Sequence, residues 1–234
     1  MVTKGNSYEN RANLAEVYFD TIIKKYEGTR LGEQEIHAKI LEDTPGALWT
    51  LEDISNYRCS YKKFKSIELV KIAVAIDPAA SSKTTSNETG IIAGGIDAKG
   101  EGYILADGSG IYTPAGWATQ AIKIFAALKA DRIVAEVNNG GDMVESTLRT
   151  IAPHIPYLKV WASRGKRPRA EPVSSLYERG LVHHVGIFPG LEDQQTTWDA
   201  TDGSVSPDRL DALVWLLTYL MLGIKIKKAT SRQG

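Results

Sequence analysis

Three short apolar runs, KIAVAID (71–77), GIIAGGI (90–96) and GYILADG (102–108), constrain the fold of this chain more than any other feature. Each is too short for a buried helix and is flanked by turn-rich sequence, which makes each a strand candidate and the three together a meander. The pattern then changes. Thr113 and Pro114 open a helix that sets Trp117, Ala121, Phe125 and Leu128 on one side. RIVAEV (132–137) reads as a fourth strand, a helix from Gly141 aligns Val144, Leu148 and Ile151, and YLKVWA (157–162) is a further strand. Near the end, LDALVWLLTYLML is apolar from Leu210 onward except for Asp211, Thr218 and Tyr219, the signature of a largely buried helix. A meander, then alternating helix and strand, then a long helix predicts an α/β fold: a mixed sheet with helices on its faces.

The segment before the meander reads differently. Leu14, Tyr18, Ile22 and Tyr26 carry helical spacing, residues 32–42 suggest a second helix, and Asp43 to Tyr61 shows little periodicity around Pro45 and Gly46. Residues 1–65 are therefore expected to form a helical appendage and linker, and 66–234 the main domain. With 43% hydrophobic and 24% charged residues, the composition is that of an ordinary globular protein. The single cysteine, Cys59, cannot form an internal disulfide, which fits a reducing compartment, and no catalytic role is assigned to it. Neither a signal peptide nor a membrane span is expected. Lys and Arg total 28, as do Asp and Glu, so any nucleic-acid contact must come from a local patch.

Carboxylates fall where such a sheet would expose them. Asp77 ends the first strand and Glu136 lies near the end of the fourth, and open sheets of this class carry their sites at the carboxyl ends of strands. Asp77 has an ordinary alternative as a turn cap, and Glu136 as an outward-facing strand residue. On the last helix, Ser206 is expected to cap and Pro207 to occupy the first helical position. Asp208 is favoured there by the helix dipole. Asp211 follows Asp208 by three residues and precedes Trp215 by four, so the three lie near one face of an apolar helix. An ionised carboxylate in that position needs a cation, strong donors or a shifted pKa. A salt bridge, to Arg209 or another basic side chain, is the commoner solution; a metal ion is the other. If the first and fourth strands are neighbours and the last helix crosses them, Asp77, Glu136 and Asp211 meet. Such an oxygen-only cluster suits Mg2+ or Mn2+, and two ions about 3.5–4 Å apart can drive phosphodiester hydrolysis.

The ordered segments AIDPA (75–79), ETGII (88–92), AEVNNGGDMV (135–144), GKRPRAEPVSSLYERGLVHH (165–184), LEDQ (191–194) and SPDRLDALVW (206–215) resemble the nuclease domain of large terminase subunits. These are the DNA-packaging motors of tailed double-stranded DNA bacteriophages. Residues 8–49 resemble the region that joins their ATPase and nuclease domains. The resemblance implies a ribonuclease H-like fold and a metal-dependent endonuclease that cuts double-stranded DNA during packaging by a two-metal-ion mechanism. It implies Asp77, Glu136 and Asp211 as catalytic acids and metal ligands, Asp208 as a neighbouring metal ligand, and Asp107 as a further recurrent acid two strands away from Asp77. The implied partners are the terminase ATPase domain, the small terminase subunit and the portal, and the implied location is the cytoplasm of the infected bacterium. The sequence lacks the GxxxxGK[ST] phosphate loop of the motor half, so translocation by this chain alone is not expected.

WASRGKRPRAEP carries Arg164, Lys166, Arg167 and Arg169 just beyond a strand, in what reads as a loop. Such a run can neutralise DNA phosphates, or can simply be a solvated loop. His183 and His184 could assist proton transfer, with His184 kept as a candidate, although neighbours on a strand face opposite ways. The basic tail, Lys225, Lys227, Lys228 and Arg232, reads as solvated. Three other readings compete. IDPAASSKTT and LADGSG superficially resemble the phosphate loops of sugar-kinase or actin-like ATPases, but Pro78 lacks an N–H and Ala79 and Ala80 stand where glycine would let backbone approach phosphate. A junction resolvase would share the fold and differ in substrate. A non-catalytic DNA-binding or assembly module would use the acids for salt bridges.

Overall fold

The computed structural model describes residues 44–78, 88–137, 141–162, 165–201 and 207–223. The helices expected over 9–27 and 32–42, together with Arg164, Ser206 and the basic tail, lie outside them. Two short helices come first, α1 (Leu51–Asn56) and α2 (Tyr61–Phe64), each started by a hydroxyl cap: Thr50 accepts from the Asp53 N–H and Ser60 from the Lys63 N–H. The meander follows as β1 (Leu69–Asp77), β2 (Gly90–Asp97) and β3 (Gly102–Asp107). Next are α3 (Pro114–Leu128), β4 (Arg132–Glu136), α4 (Gly141–Ile151) and β5 (Tyr157–Val160). The chain closes with α5 (Lys166–Glu178), β6 (Val182–His184), α6 (Pro189–Thr197) and α7 (Asp208–Leu217), which runs into a π-helical turn at Thr218–Leu222. Thr113 caps α3 ahead of Pro114, as expected, through the Gly116 N–H.

Among the described residues six strands form one sheet in the order β5-β4-β1-β2-β3-β6. β1, β2 and β3 pair antiparallel, while β4 joins β1, β5 joins β4 and β6 joins β3 in parallel. Both faces are covered, which is why the central strands are apolar without alternation. Alternate residues nevertheless feed different layers. Val74, Ile76, Ile91, Ala93, Ile133 and Ala135 pack in the core that includes Trp117, Ala118, Ala121, Val144 and Leu148 of α3 and α4. Ala73, Ala75, Ile92 and Val134 pack in the core built from α5, α6 and α7.

Three local features differ from the sequence expectation. The basic run is not a loop: Lys166, Arg167 and Arg169 lie in the first turn of α5. Two prolines disguise that helix. Pro168 falls in the first turn, where its missing N–H has no helical acceptor, and Pro172 is tolerated inside while Ala170, Val173, Leu176 and Tyr177 are buried. Pro207 is the residue before α7 rather than its first residue, with φ −71° and ψ 152°, and no side chain at that position caps the helix. Residues 44–65, which the sequence groups with the appendage, contribute side chains to the main core. Trp49 and Ile54 are buried in the α5–α7 layer, and Cys59 bridges to Val185 beyond β6. Among the described residues no helix is long and apolar enough to cross a membrane.

Candidate active site

Asp77 is the last residue of β1 and Glu136 the last of β4, and the pairing of Ile76 with Ala135 sets them side by side at the carboxyl edge. The two-residue period fixes their direction. Asp77 continues the row of Ala73 and Ala75, and Glu136 continues that of Val134, so both face the layer that contains α7.

Two glycines let α7 come close. Gly90, the register partner of Asp77, lies so near the helix that a Cβ there would overlap the Asp208 carbonyl oxygen. At Gly94 a Cβ would meet the Tyr103 carbonyl oxygen at 2.6 Å and Leu216 Cδ2 at 3.1 Å. Four strand residues advance about 13 Å and eight helical residues about 12 Å, so 90 and 94 match 208 and 216 along the contact. The first turn of α7, carrying Asp208 and Asp211, is thereby seated opposite Asp77.

Electrostatics reports the same convergence. The Asp77 carboxyl is pushed well above the usual carboxylate range by burial first, then by the charges of Asp211, Glu136 and Asp208, with Lys166 partly offsetting them. Asp208 is raised to about 6 by burial and by Glu88 and Asp211. Asp211, only 4% exposed, receives Lys166 Nζ at 2.5 Å on Oδ2. Glu136 Oε2 accepts from Arg169 Nη1 at 3.1 Å and from Trp215 Nε1 at 2.5 Å, and the Arg169 guanidinium lies over the Trp215 ring, 4.8 Å from its centroid. The salt-bridge alternative for Asp211 is thus present, with Lys166 rather than Arg209. Among the described residues no group of three His, Cys, Asp or Glu side chains is placed to hold a metal ion. The donor set suits a hard divalent cation all the same: four carboxylates, no thiolate, and a buried acid that its neighbours force toward protonation.

A second acidic group adjoins the first. Arg209 Nε donates to Asp107 Oδ2 at 3.0 Å and Arg209 Nη1 donates to Glu88. Asp107 is two strands from Asp77, as expected, but Arg209 ties it to the turn that carries Asp208. Glu88, Arg209, Gln194 and Trp215 were not singled out as site residues on sequence. Trp215 was placed on the face of Asp211, yet its indole reads as core until the fold shows Glu136 within its reach.

The remaining candidates fall elsewhere. His184 is not brought to the acids: it lies on β6, with β2 and β3 between it and β1. Its ring is fully buried, with Nδ1 2.9 Å from Glu192 Oε1 and Nε2 2.9 Å from the Tyr177 hydroxyl. His183 faces the other way, 2.7 Å from the Tyr57 carbonyl oxygen. Of the basic run, Lys166 and Arg169 hold carboxylates of the site and Arg167 pairs with Glu171 on the surface.

Known structures share this arrangement of strands and helices. The human cytomegalovirus terminase nuclease domain, soaked with Mn and bound to an inhibitor, aligns with a TM-score of 0.54 at 19% identity, over 76% of this chain and 96% of its own. The nuclease domain of the P22 large terminase aligns at 0.55 and 12% identity, over 76% and 93%. The large terminase of a thermophilic bacteriophage, in complex with ADP, aligns at 0.58 and 13% identity, over 93% of this chain and 55% of that one. At these identities the likeness is one of fold. No curated protein matches in sequence. The profile of the terminase RNase H-like domain, however, matches residues 74–220, from within β1 to the π-helical turn, and the chain therefore belongs to that family.

Proposed function

We propose that this chain is a divalent-metal-dependent endonuclease that hydrolyses double-stranded DNA during viral genome packaging. The observation that carries this reading is the gathering of Asp77, Glu136, Asp208 and Asp211 at one edge of the sheet, with Asp77 pushed upward by the other three. Their four negative charges would be balanced by two Mg2+ or Mn2+ ions, held chiefly by Asp77, Glu136 and Asp211 with Asp208 alongside. When bound, the ions supply Lewis-acid activation of water and stabilisation of the phosphodiester's leaving oxygen. The protein's own groups prepare that site. Their places at the ends of paired strands fix Asp77 and Glu136, and α7 sets the helix acids opposite them. Lys166 and Arg169 neutralise Asp211 and Glu136; a bound cation would take over that charge balance and leave both side chains for DNA phosphates. Arg167, exposed in the same turn, and Arg164, outside the described residues, are proposed as further phosphate contacts. The manganese-soaked cytomegalovirus domain supports the choice of metal by likeness of fold.

By family, the chain is further proposed to work with the terminase ATPase domain, the small terminase subunit and the portal, in the cytoplasm of the infected host. The ion pairs at Asp211 and Glu136 favour one alternative, a non-catalytic module whose acids serve as salt-bridge partners. Incubation with supercoiled plasmid decides between them. Nicking or cutting with Mg2+ or Mn2+, and none in excess chelator, is expected; no cutting with either metal would leave the module.

A further inference from the structure

We propose that Gln194 is a positioning residue that caps α7 from outside and so holds Asp208 and Asp211 in register with Asp77. The inference rests on the metal-nuclease reading for its purpose, and on three hydrogen bonds for its substance. A helix normally satisfies its second and third N–H groups with the side chain of the residue before it. In α7 that residue is Pro207, which has no acceptor on its side chain, and no side-chain cap is present there. The donors at issue belong to Arg209 and Leu210. Both point to one oxygen, Gln194 Oε1, at 3.0 and 3.3 Å. Gln194 belongs to α6, so the cap comes from a different helix and fixes where α7 begins as well as satisfying it.

The other end of the same amide is also committed. Gln194 Nε2 donates to Glu88 Oε2 at 3.2 Å, and Glu88 in turn accepts from the Arg209 guanidinium. Glu88 stands two residues before Gly90, the point where α7 touches β2. A glutamine suits this position because it presents an acceptor and a donor at once; a carboxylate would face Glu88 without a proton to share. The segments ETGII, LEDQ and SPDRLD, far apart in sequence, therefore meet at the first turn of α7, and Gln194 is the side chain that joins them.

The test uses the full chain with Gln194→Met, which keeps length and bulk but loses the acceptor and donor, and the double variant Gln194→Glu, Glu88→Gln, which keeps an acceptor at 194 and moves the amide donor to 88. Mn2+ affinity is measured by calorimetry, and amide hydrogen exchange is followed at Arg209 and Leu210, with β1 and β4 amides reporting the integrity of the fold. In Gln194→Met, exchange at these two amides should accelerate and Mn2+ affinity should fall roughly fivefold, the factor that loss of one capping interaction represents. The double variant should restore protection of the two amides. A Met variant with wild-type exchange and wild-type Mn2+ affinity overturns the proposal. So does a double variant that leaves both amides as exposed as the Met variant does. A wild-type protein that binds no Mn2+ overturns the metal reading itself, while the exchange data test the cap independently of metal.

Discussion

Gly90 and the Asp208 carbonyl leave no room for a side chain between them: a Cβ on Gly90 would overlap that oxygen. The obstacle is backbone, so Gly90→Ala must move the start of α7. The expected cost is about 1–3 kcal/mol in a urea melt, with a marked loss of plasmid cutting because Asp208 and Asp211 move together. Gly94→Ala, which pushes on Tyr103 and Leu216 two helical turns further along, should destabilise similarly yet retain more activity. Equal loss of activity in both variants would separate the contact at Gly90 from the chemistry.

Asp211→Asn removes one of the charges that drive Asp77 upward and also breaks the pair with Lys166. The Lys166 side chain is 41% exposed, so its ammonium can turn to water once the partner is neutral. The two effects oppose each other, and the metal-free variant should change in stability by less than about 1 kcal/mol. Cleavage should fall by about a hundredfold or more, as expected when a transition-state charge clamp is lost. Asp208→Asn should cost less. A metal-free Asp211→Asn protein weakened by more than about 3 kcal/mol would mark Asp211 as a structural ion-pair residue instead.

Two carboxylates, buried Glu192 and half-buried Asp208, give opposite pH dependences. Burial alone would raise Glu192, but hydrogen bonds from His184 and Arg58 outweigh it and hold the group at about 2, against an ordinary 4.5. A depressed folded-state pKa stabilises above the unfolded value, so this contribution, on the order of 3 kcal/mol, is complete above about pH 4.5 and is lost as pH falls toward 2. Glu192→Gln should flatten that acid limb. Asp208, raised to about 6 from an ordinary 3.8, acts in reverse: the metal-free protein gains stability as pH falls through that window. Asp208→Asn should remove the gain, as read from thermal melts between pH 4 and 7.

Lys166 and Arg169 are held by carboxylates of the site, which predicts a link between cation and DNA. Ca2+, a hard cation suited to the same oxygens, should release both side chains and steepen the salt dependence of DNA binding by about one to two phosphate contacts. The Lys166→Ala, Arg169→Ala double variant should show no such steepening. Identical slopes for the wild type with and without Ca2+ would return the basic turn to a purely structural role.

Strand positions were legible because short apolar runs bounded by turns leave few alternatives, and the placement of Asp77 and Glu136 at strand ends followed from them. The α5 helix was hidden by Pro168 and Pro172 amid Arg and Lys, since local propensity reads such a run as loop while tertiary burial of Val173, Leu176 and Tyr177 decides otherwise. His184 was open to a chemical role only until the partners on both of its ring nitrogens were known. Gln194 and Glu88 lie in the quoted segments LEDQ and ETGII, but their roles rest on contacts between segments, 106 residues apart for the pair and 15 and 16 for Gln194 with Arg209 and Leu210, which no periodicity encodes. The boundary at residue 65 followed a change in composition, whereas Trp49 and Ile54 pack across it.

The most direct test is a crystal of this chain soaked in Mn2+ and measured at the manganese absorption edge. Anomalous peaks are expected between the carboxylates of Asp77, Glu136, Asp208 and Asp211, with Lys166 drawn away from Asp211 and Arg169 from Glu136. A soaked crystal of cleavage-competent protein with no peak at these carboxylates, or with both ion pairs intact beside a metal bound elsewhere, would mean that this acidic edge is not the nuclease centre.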